Sequence, residues 1–99
     1  MSGAKPFSTL RTSEPFNEAY AALDVKRKKQ TDKAIRLLFA NPAHPGLQTH
    51  PINPDKYCWE AYINRSDRLI FVRFGSVLRL VDIVPHDDID RYAKAPAQR

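Results

Sequence analysis

The chain holds a single cysteine, Cys58. No disulfide can close within it, and a thiolate metal cage has no ligand set. A lone cysteine in a strand-like run reads as a small buried hydrophobe, with a reactive thiol as the alternative. Long apolar runs are also missing. The longest, Leu37 to Ala40 and Leu69 to Val72, fall far short of the roughly 20 residues a membrane-spanning helix needs. The opening MSGAKPFSTL has no apolar stretch of signal-peptide length, which points to a cytoplasmic protein with no membrane partner. There is no internal repeat and no low-complexity linker. What remains fits one domain over residues 1–99, with little to bury in 1–4 and 95–99.

The hydrophobic fraction of 42% is too high for a disordered chain and sufficient for a core. Sixteen Lys and Arg face eleven Asp and Glu, a net charge of +5. The excess is uneven, with Lys26, Arg27, Lys28 and Lys29 in a block and Asp82, Asp87, Asp88 and Asp90 clustered late. A basic domain attracts polyanions, either nucleic acid or an acidic protein. Charge alone does not choose between them, and such a run also serves as a solvated helix face.

The pattern predicts a short strand over Phe7 to Leu10. Ser13, Glu14 and Pro15 then read as a helix start. Phe16, Tyr20 and Leu23 fall at i, i+4 and i+7, on one helix face. After a break near Asp24 a second helical stretch runs to about Phe39, polar at first and apolar at Ala34, Ile35, Leu37 and Leu38. Asn41-Pro42 ends it. Residues 40–56 hold Pro42, Pro45, Pro51 and Pro54 and read as an irregular connection with at most one short strand. Three strands follow: Tyr57 to Ile63, Arg68 to Phe74 and, after a Gly75-Ser76 turn, Val77 to Val84. Asp87 to Ala93 is a candidate for a short C-terminal helix. The fold class is α+β, with two N-terminal helices packed on one face of an antiparallel sheet of three to four strands and the other face partly open.

Three segments carry a resemblance. NPAHPGLQTHPI (41–52) follows the helices, WEAYINRSDRLIF (59–71) joins an aromatic strand to an Arg-aliphatic-aliphatic-aromatic run, and DIVPHDDIDRYA (82–93) ends a strand in a histidine. Together, in this order, they resemble the RelE/ParE toxins of type II toxin–antitoxin pairs, with YoeB-like mRNA interferases the nearest fit. The resemblance covers about residues 5–93. It implies an endoribonuclease that cleaves mRNA on the ribosome and inhibits translation, with no metal or other cofactor, and a cognate antitoxin as partner. It places His50, Arg68 and His86 at the catalytic positions. Tyr62, Arg65 and Tyr92 would bind RNA, and Lys26, Arg27, Lys29, Lys33 and Arg36 would meet the antitoxin.

The chemistry implied is attack of a ribose 2′-hydroxyl on the neighbouring phosphate. A base, a fixed cation and an acid are needed. His50 fits the base, Arg68 a bidentate phosphate clamp, and His86 the acid. Structural roles compete: His50 as a partner of a backbone carbonyl, Arg68 as a partner of Asp82 or Glu60, His86 as a helix cap, Trp59 as packing, His44 as a solvated loop residue. Ala61 and Tyr62 stand where such nucleases often carry basic residues, and Asp87 and Asp88 beside His86 repel a phosphate. Two non-catalytic alternatives therefore stay open: a ParE-like gyrase inhibitor, or a degenerate toxin fold that only binds an antitoxin-type partner.

Overall fold

The computed structural model describes residues 6–52 and 58–90. In chain order these form β1 (Thr9–Thr12), α1 (Glu14–Ala21), α2 (Val25–Ala40), a 3-10 turn (Pro45–Leu47), β2 (His50–Pro51), β3 (Trp59–Tyr62), β4 (Asp67–Phe74), β5 (Val77–Pro85) and a second 3-10 turn (His86–Asp88). Local chemistry sets the helix ends. The Ser13 hydroxyl oxygen accepts from the Phe16 N–H at 3.2 Å, with Pro15 in the first turn. Asp24 does the same for the Arg27 N–H at 2.8 Å, so the expected break is the N-cap of α2. Asn41 leaves the helix in extended geometry, as the following proline requires.

The sheet has five strands in the order β1-β5-β4-β3-β2. This corrects the expected count upward, through the two-residue β2. It is also not wholly antiparallel, because β1 runs parallel to β5. The helical pair carries the chain back across one sheet face, so the first strand lies beside the last in the same direction. The first strand also starts later than predicted. Phe7 precedes it as a core anchor, 1% exposed and 6.2 Å from the Phe39 ring centroid. The predicted beginning of the third strand at Tyr57 lies outside the described residues. So do the chain ends and residues 91–93 of the expected last helix, of which a 3-10 turn and the helical Ile89 and Asp90 are described.

Both helices cover one face. Phe16 and Leu38 meet Leu69, Phe71, Leu78 and Leu80 there, each contributing about 1.5–3 kcal/mol by leaving water. Trp59 stacks on Phe71 at 6.3 Å, so it packs rather than recognises. The opposite face is less open than expected. A second cluster of Ile52, Ile70 and Val84, edged by Cys58, Val81 and Ile89, fills its middle. The register slips between Ile70 and Phe71, whose partners are Asp82 and Leu80, so Val81 sits in a bulge.

The turn from β3 to β4 ties the sheet to α2. Asp67, with its side chain 3% exposed, accepts from Arg27 Nε at 2.9 Å and Nη2 at 2.8 Å. It also accepts from Asn64 Nδ2 at 2.8 Å, and the Asn64 side-chain oxygen takes the N–H groups of Ser66 and Asp67. The Arg27 hydrogen bonds hold the Asp67 carboxyl below the ordinary carboxylate range, although burial pushes the other way. Arg27 therefore braces the fold with the group expected to face an antitoxin. Lys26, Lys29, Lys33 and Arg36 remain exposed along one helix stripe.

Candidate functional site

The site forms on the sheet face away from the helices, on two rungs with the Ala61–Leu69 pair between them. The first rung aligns His50, Glu60 and Ile70 across β2, β3 and β4. The second aligns Tyr62, Arg68 and Val84 across β3, β4 and β5. Residues paired across neighbouring strands point to the same side of a sheet, so this register brings a loop histidine and a strand arginine together.

They meet on a carboxylate. Glu60, with its side chain 8% exposed, lies 3.0 Å from His50 Nε2 through Oε1 and 3.1 Å from Arg68 Nε through Oε2. His50 is the solvent-facing member, with its side chain 57% exposed, and its Nδ1 lies 2.9 Å from the Gln48 carbonyl oxygen. Both ring nitrogens face acceptors. In this geometry the imidazole donates from both sides only as the doubly protonated ring. Arg68 is more deeply engaged. Its Nη1 donates to the carbonyl of Asn64 at 2.8 Å and to those of Arg65 and Asp67 at 3.2 Å. Its guanidinium carbon stands 4.9 Å above the Tyr62 ring. Nε and Nη1 are thus held by the protein, and Nη2 has no hydrogen-bond partner among the described residues. A two-pronged clamp would require the Glu60 contact to open.

The other expected residues are placed less closely. The backbone N–H of His86 donates to Ser66 O at 2.7 Å, so His86 starts the turn one rung beyond the Pro85–Asp67 pair. Its imidazole makes no hydrogen bond or ion pair with His50, Glu60 or Arg68. Arg65 is exposed in the β3–β4 turn and contributes its carbonyl to Arg68. Tyr92 lies outside the described residues. Glu60 was named in the sequence only as a competing partner for Arg68, and it is the centre of the cluster. The signal available was its alternation with Trp59 and Ala61, which puts a carboxylate on the polar side of β3. Among the described residues no group of three His, Cys, Asp or Glu is arranged to hold a metal ion.

A groove of about 300 Å³ lies on the helix side of the sheet, between α2, the Pro45–Leu47 turn and the end of β3, with Tyr62 among its lining residues.

No protein-family model matches the chain, and no curated protein matches it. Solved structures do. YafQ from E. coli strain BL21(DE3) superposes with a TM-score of 0.68 at 18% identity, covering 81% of this chain and 94% of that one. A YoeB/ParE toxin from Agrobacterium tumefaciens gives 0.68 at 16% identity over 80% of this chain and 99% of the other. The archaeal RelE–RelB complex from Pyrococcus horikoshii OT3 gives 0.67 at 10% identity, over 81% and 94%. The chain has the RelE/ParE toxin fold. Within it, the YafQ, YoeB and RelE structures share the architecture described above over about four-fifths of its length.

Proposed function

We propose that the protein is the toxin of a type II toxin–antitoxin pair and that it cleaves mRNA, on the ribosome, by metal-independent transesterification. The observation that carries this reading is the meeting of His50 and Arg68 on Glu60, on the sheet face the helices leave uncovered. The fold likeness to YafQ, YoeB and RelE toxins supports it.

In the reaction, the ribose 2′-oxygen bonds to phosphorus, its proton passes to a base, the P–O5′ bond breaks, and the leaving 5′-oxygen takes a proton from an acid. Glu60 orients the His50 ring through Nε2–H, as a carboxylate positions an imidazole in hydrolytic triads. His50 serves as base once Nδ1 releases Gln48 and its proton. Arg68 stabilises the phosphorane through Nη2. His86, just past the end of β5, is the acid. Tyr62, Arg65 and Tyr92 hold the RNA. The exposed stripe of Lys26, Lys29, Lys33 and Arg36 steers an acidic antitoxin segment. The E. coli DinJ–YafQ toxin–antitoxin complex and the RelE–RelB complex have the same toxin fold with an antitoxin bound.

A non-catalytic reading, a gyrase-directed or antitoxin-binding protein, is favoured by one observation. Arg68 has two of its three nitrogens already held by the protein. Expression of the chain alone in a bacterium, with mapping of mRNA 5′-ends and of DNA damage signalling, separates the two. New mRNA ends that vanish in His50→Gln support cleavage. DNA damage without new ends, or no effect on growth from soluble protein, removes the nuclease reading.

A further inference from the structure

Two further rungs on the sheet face away from the helices lie at the hairpin end of β4 and β5. One aligns Phe74, Val77 and Thr9, and the other Val72, Arg79 and Arg11. Along β4 both belong to the series Arg68, Ile70, Val72 and Phe74, which alternates with the core residues Leu69 and Phe71. Phe74 is 57% exposed, a large ring in water at a hairpin tip. Arg11 and Arg79 are exposed and side by side on neighbouring strands, about 4.8 Å apart at Cα. Like charges directly opposite weaken a strand pair, and neither guanidinium has an ion pair among the described residues. Arg11, on the edge strand, can keep other strands from adding there. Arg79 lies on β5, between β1 and β4, where no edge needs guarding. Asp82, the next acid along β5, lies past the bulge on the rung of Ile70 and accepts from the Ile83 N–H at 2.8 Å. The arginine pair opposes folding rather than supporting it, so its use lies with an anion from outside the chain.

We infer that Arg11, Arg79 and Phe74 form a remote contact for single-stranded RNA, in which the two guanidiniums hold a backbone phosphate and the Phe74 ring stacks an unpaired base. The inference rests on the ribonuclease reading above and adds to it a grip away from the chemistry. Arg79 pairs with Val72, which is four β4 residues from Arg68, or about 14 Å along the strand. The buried Ile70, clustered with Ile52 and Val84, lies between the two sites. The patch is therefore separate from the Glu60 cluster and beyond the nucleotide at the reacting phosphate. Its chemistry is indifferent to sequence, because phosphates are alike and every base has a face to stack. An acidic peptide would also meet the guanidiniums. The exposed ring beside them, and the face shared with Arg68, favour RNA. The phosphate can belong to the strand being cut or to a second RNA.

The test uses the full chain and a fluorescein-labelled, fully 2′-O-methylated dodecanucleotide of mixed sequence, which binds without being cut. Affinity is followed against salt. Arg11→Gln with Arg79→Gln is expected to weaken binding about tenfold and to flatten the salt dependence by about one to two in slope. Phe74→Ser is expected to cost about fivefold with the slope unchanged, as loss of stacking alone requires. Melting temperatures are expected to hold, or to rise in the arginine variant as the like-charge rung is relieved. Lys28→Gln on α2 removes the same charge as Arg79→Gln alone and is expected to weaken binding by less than about twofold. Equal losses in those two single variants, or wild-type affinity in both the arginine and the Phe74 variants, overturn the inference. So does an Asp/Glu-rich peptide that shifts the amide resonances of Arg11, Phe74 and Arg79 where the oligomer does not. One oligomer per chain, shifting amides at both Arg79 and Glu60, assigns the contact to the cut strand. Shifts at Arg79 that persist in Arg68→Ala, with a second oligomer bound to wild type, assign it to another RNA. Cleavage of unmodified RNA is scored separately. Binding at the patch without cleavage sinks the nuclease reading alone, whereas cleavage with an unchanged KM in the arginine variant and unchanged oligomer affinity sinks the patch alone.

Discussion

Two buried carboxylates on neighbouring strands each hold an arginine, and they do so differently. Asp67 takes both prongs of Arg27 and a third hydrogen bond from Asn64, so all its partners are the protein's own. Glu60 divides its two oxygens between Arg68 and His50, and His50 is largely in solvent. The first arrangement is closed and joins a helix to a turn. The second opens through an imidazole to the outside and leaves one guanidinium nitrogen without a partner among the described residues. A saturated ion pair belongs to stability, and a shared one with an exposed member can take part in chemistry.

The sharpest break between the two is in activity. His50→Gln and Arg68→Ala are expected to lower RNA cleavage by about 10²-fold to 10⁴-fold, measured on a defined mRNA with purified protein. Asp67→Asn is expected to leave cleavage close to wild type. Stability reverses the order. Asp67→Ala is expected to cost about 2–3 kcal/mol in urea unfolding, because it strands Arg27 and Asn64. The cost stays below that of a fully buried pair since Arg27 is 44% exposed. His50→Gln is expected to change the urea midpoint little.

The acid limb sharpens the contrast further. The folded-state pKa of Asp67 is depressed, chiefly by the Arg27 hydrogen bonds. Its stabilisation is fully present above the ordinary carboxylate range and is lost as pH falls through the lower folded value. Urea midpoints followed from neutral pH downward are expected to drop less steeply in Asp67→Asn than in wild type. If both fall alike, the closed pair is not the acid-sensitive element. The smallest effect is at Tyr20, which donates to Asp32 at 2.7 Å and has its pKa raised first by that bond, then by burial. Tyr20→Phe is expected to cost about 0.5–1 kcal/mol at neutral pH. That contribution is lost in wild type as pH climbs through the raised tyrosine value, which a urea series in the alkaline range reads directly.

Much of this was legible in residue order, for identifiable reasons. Ser13-Glu-Pro and Asp24 marked the helix starts because caps are local chemistry. Asn41-Pro42 and Gly75-Ser76 marked a helix end and a hairpin because their constraints sit in the dipeptides themselves. Phe7 anchors the core ahead of β1, and sequence does not separate the two roles, since an aromatic beside a short apolar run looks the same whether it anchors a core or starts a ladder. The resemblance points to His50 and Arg68, whereas in the sequence Glu60 stands out only as a possible partner for Arg68. A carboxylate between Trp59 and Ala61 carries no local sign of what lies diagonally across the next strand. Arg27 was grouped with its basic neighbours because nothing in KRKK says which of the four turns back to the sheet.

Sequence by itself determined the two helices, the β4–β5 hairpin and that the helices precede most of the sheet, because propensities, caps and alternation act within a few residues. Only the tertiary structure decided that β1 lies parallel to β5, that Arg27 belongs to Asp67, and that His50 and Arg68 share Glu60. Those outcomes depend on strand register and on the path of α2 across the sheet, and a shift of one residue in register would turn the same side chains to the opposite face.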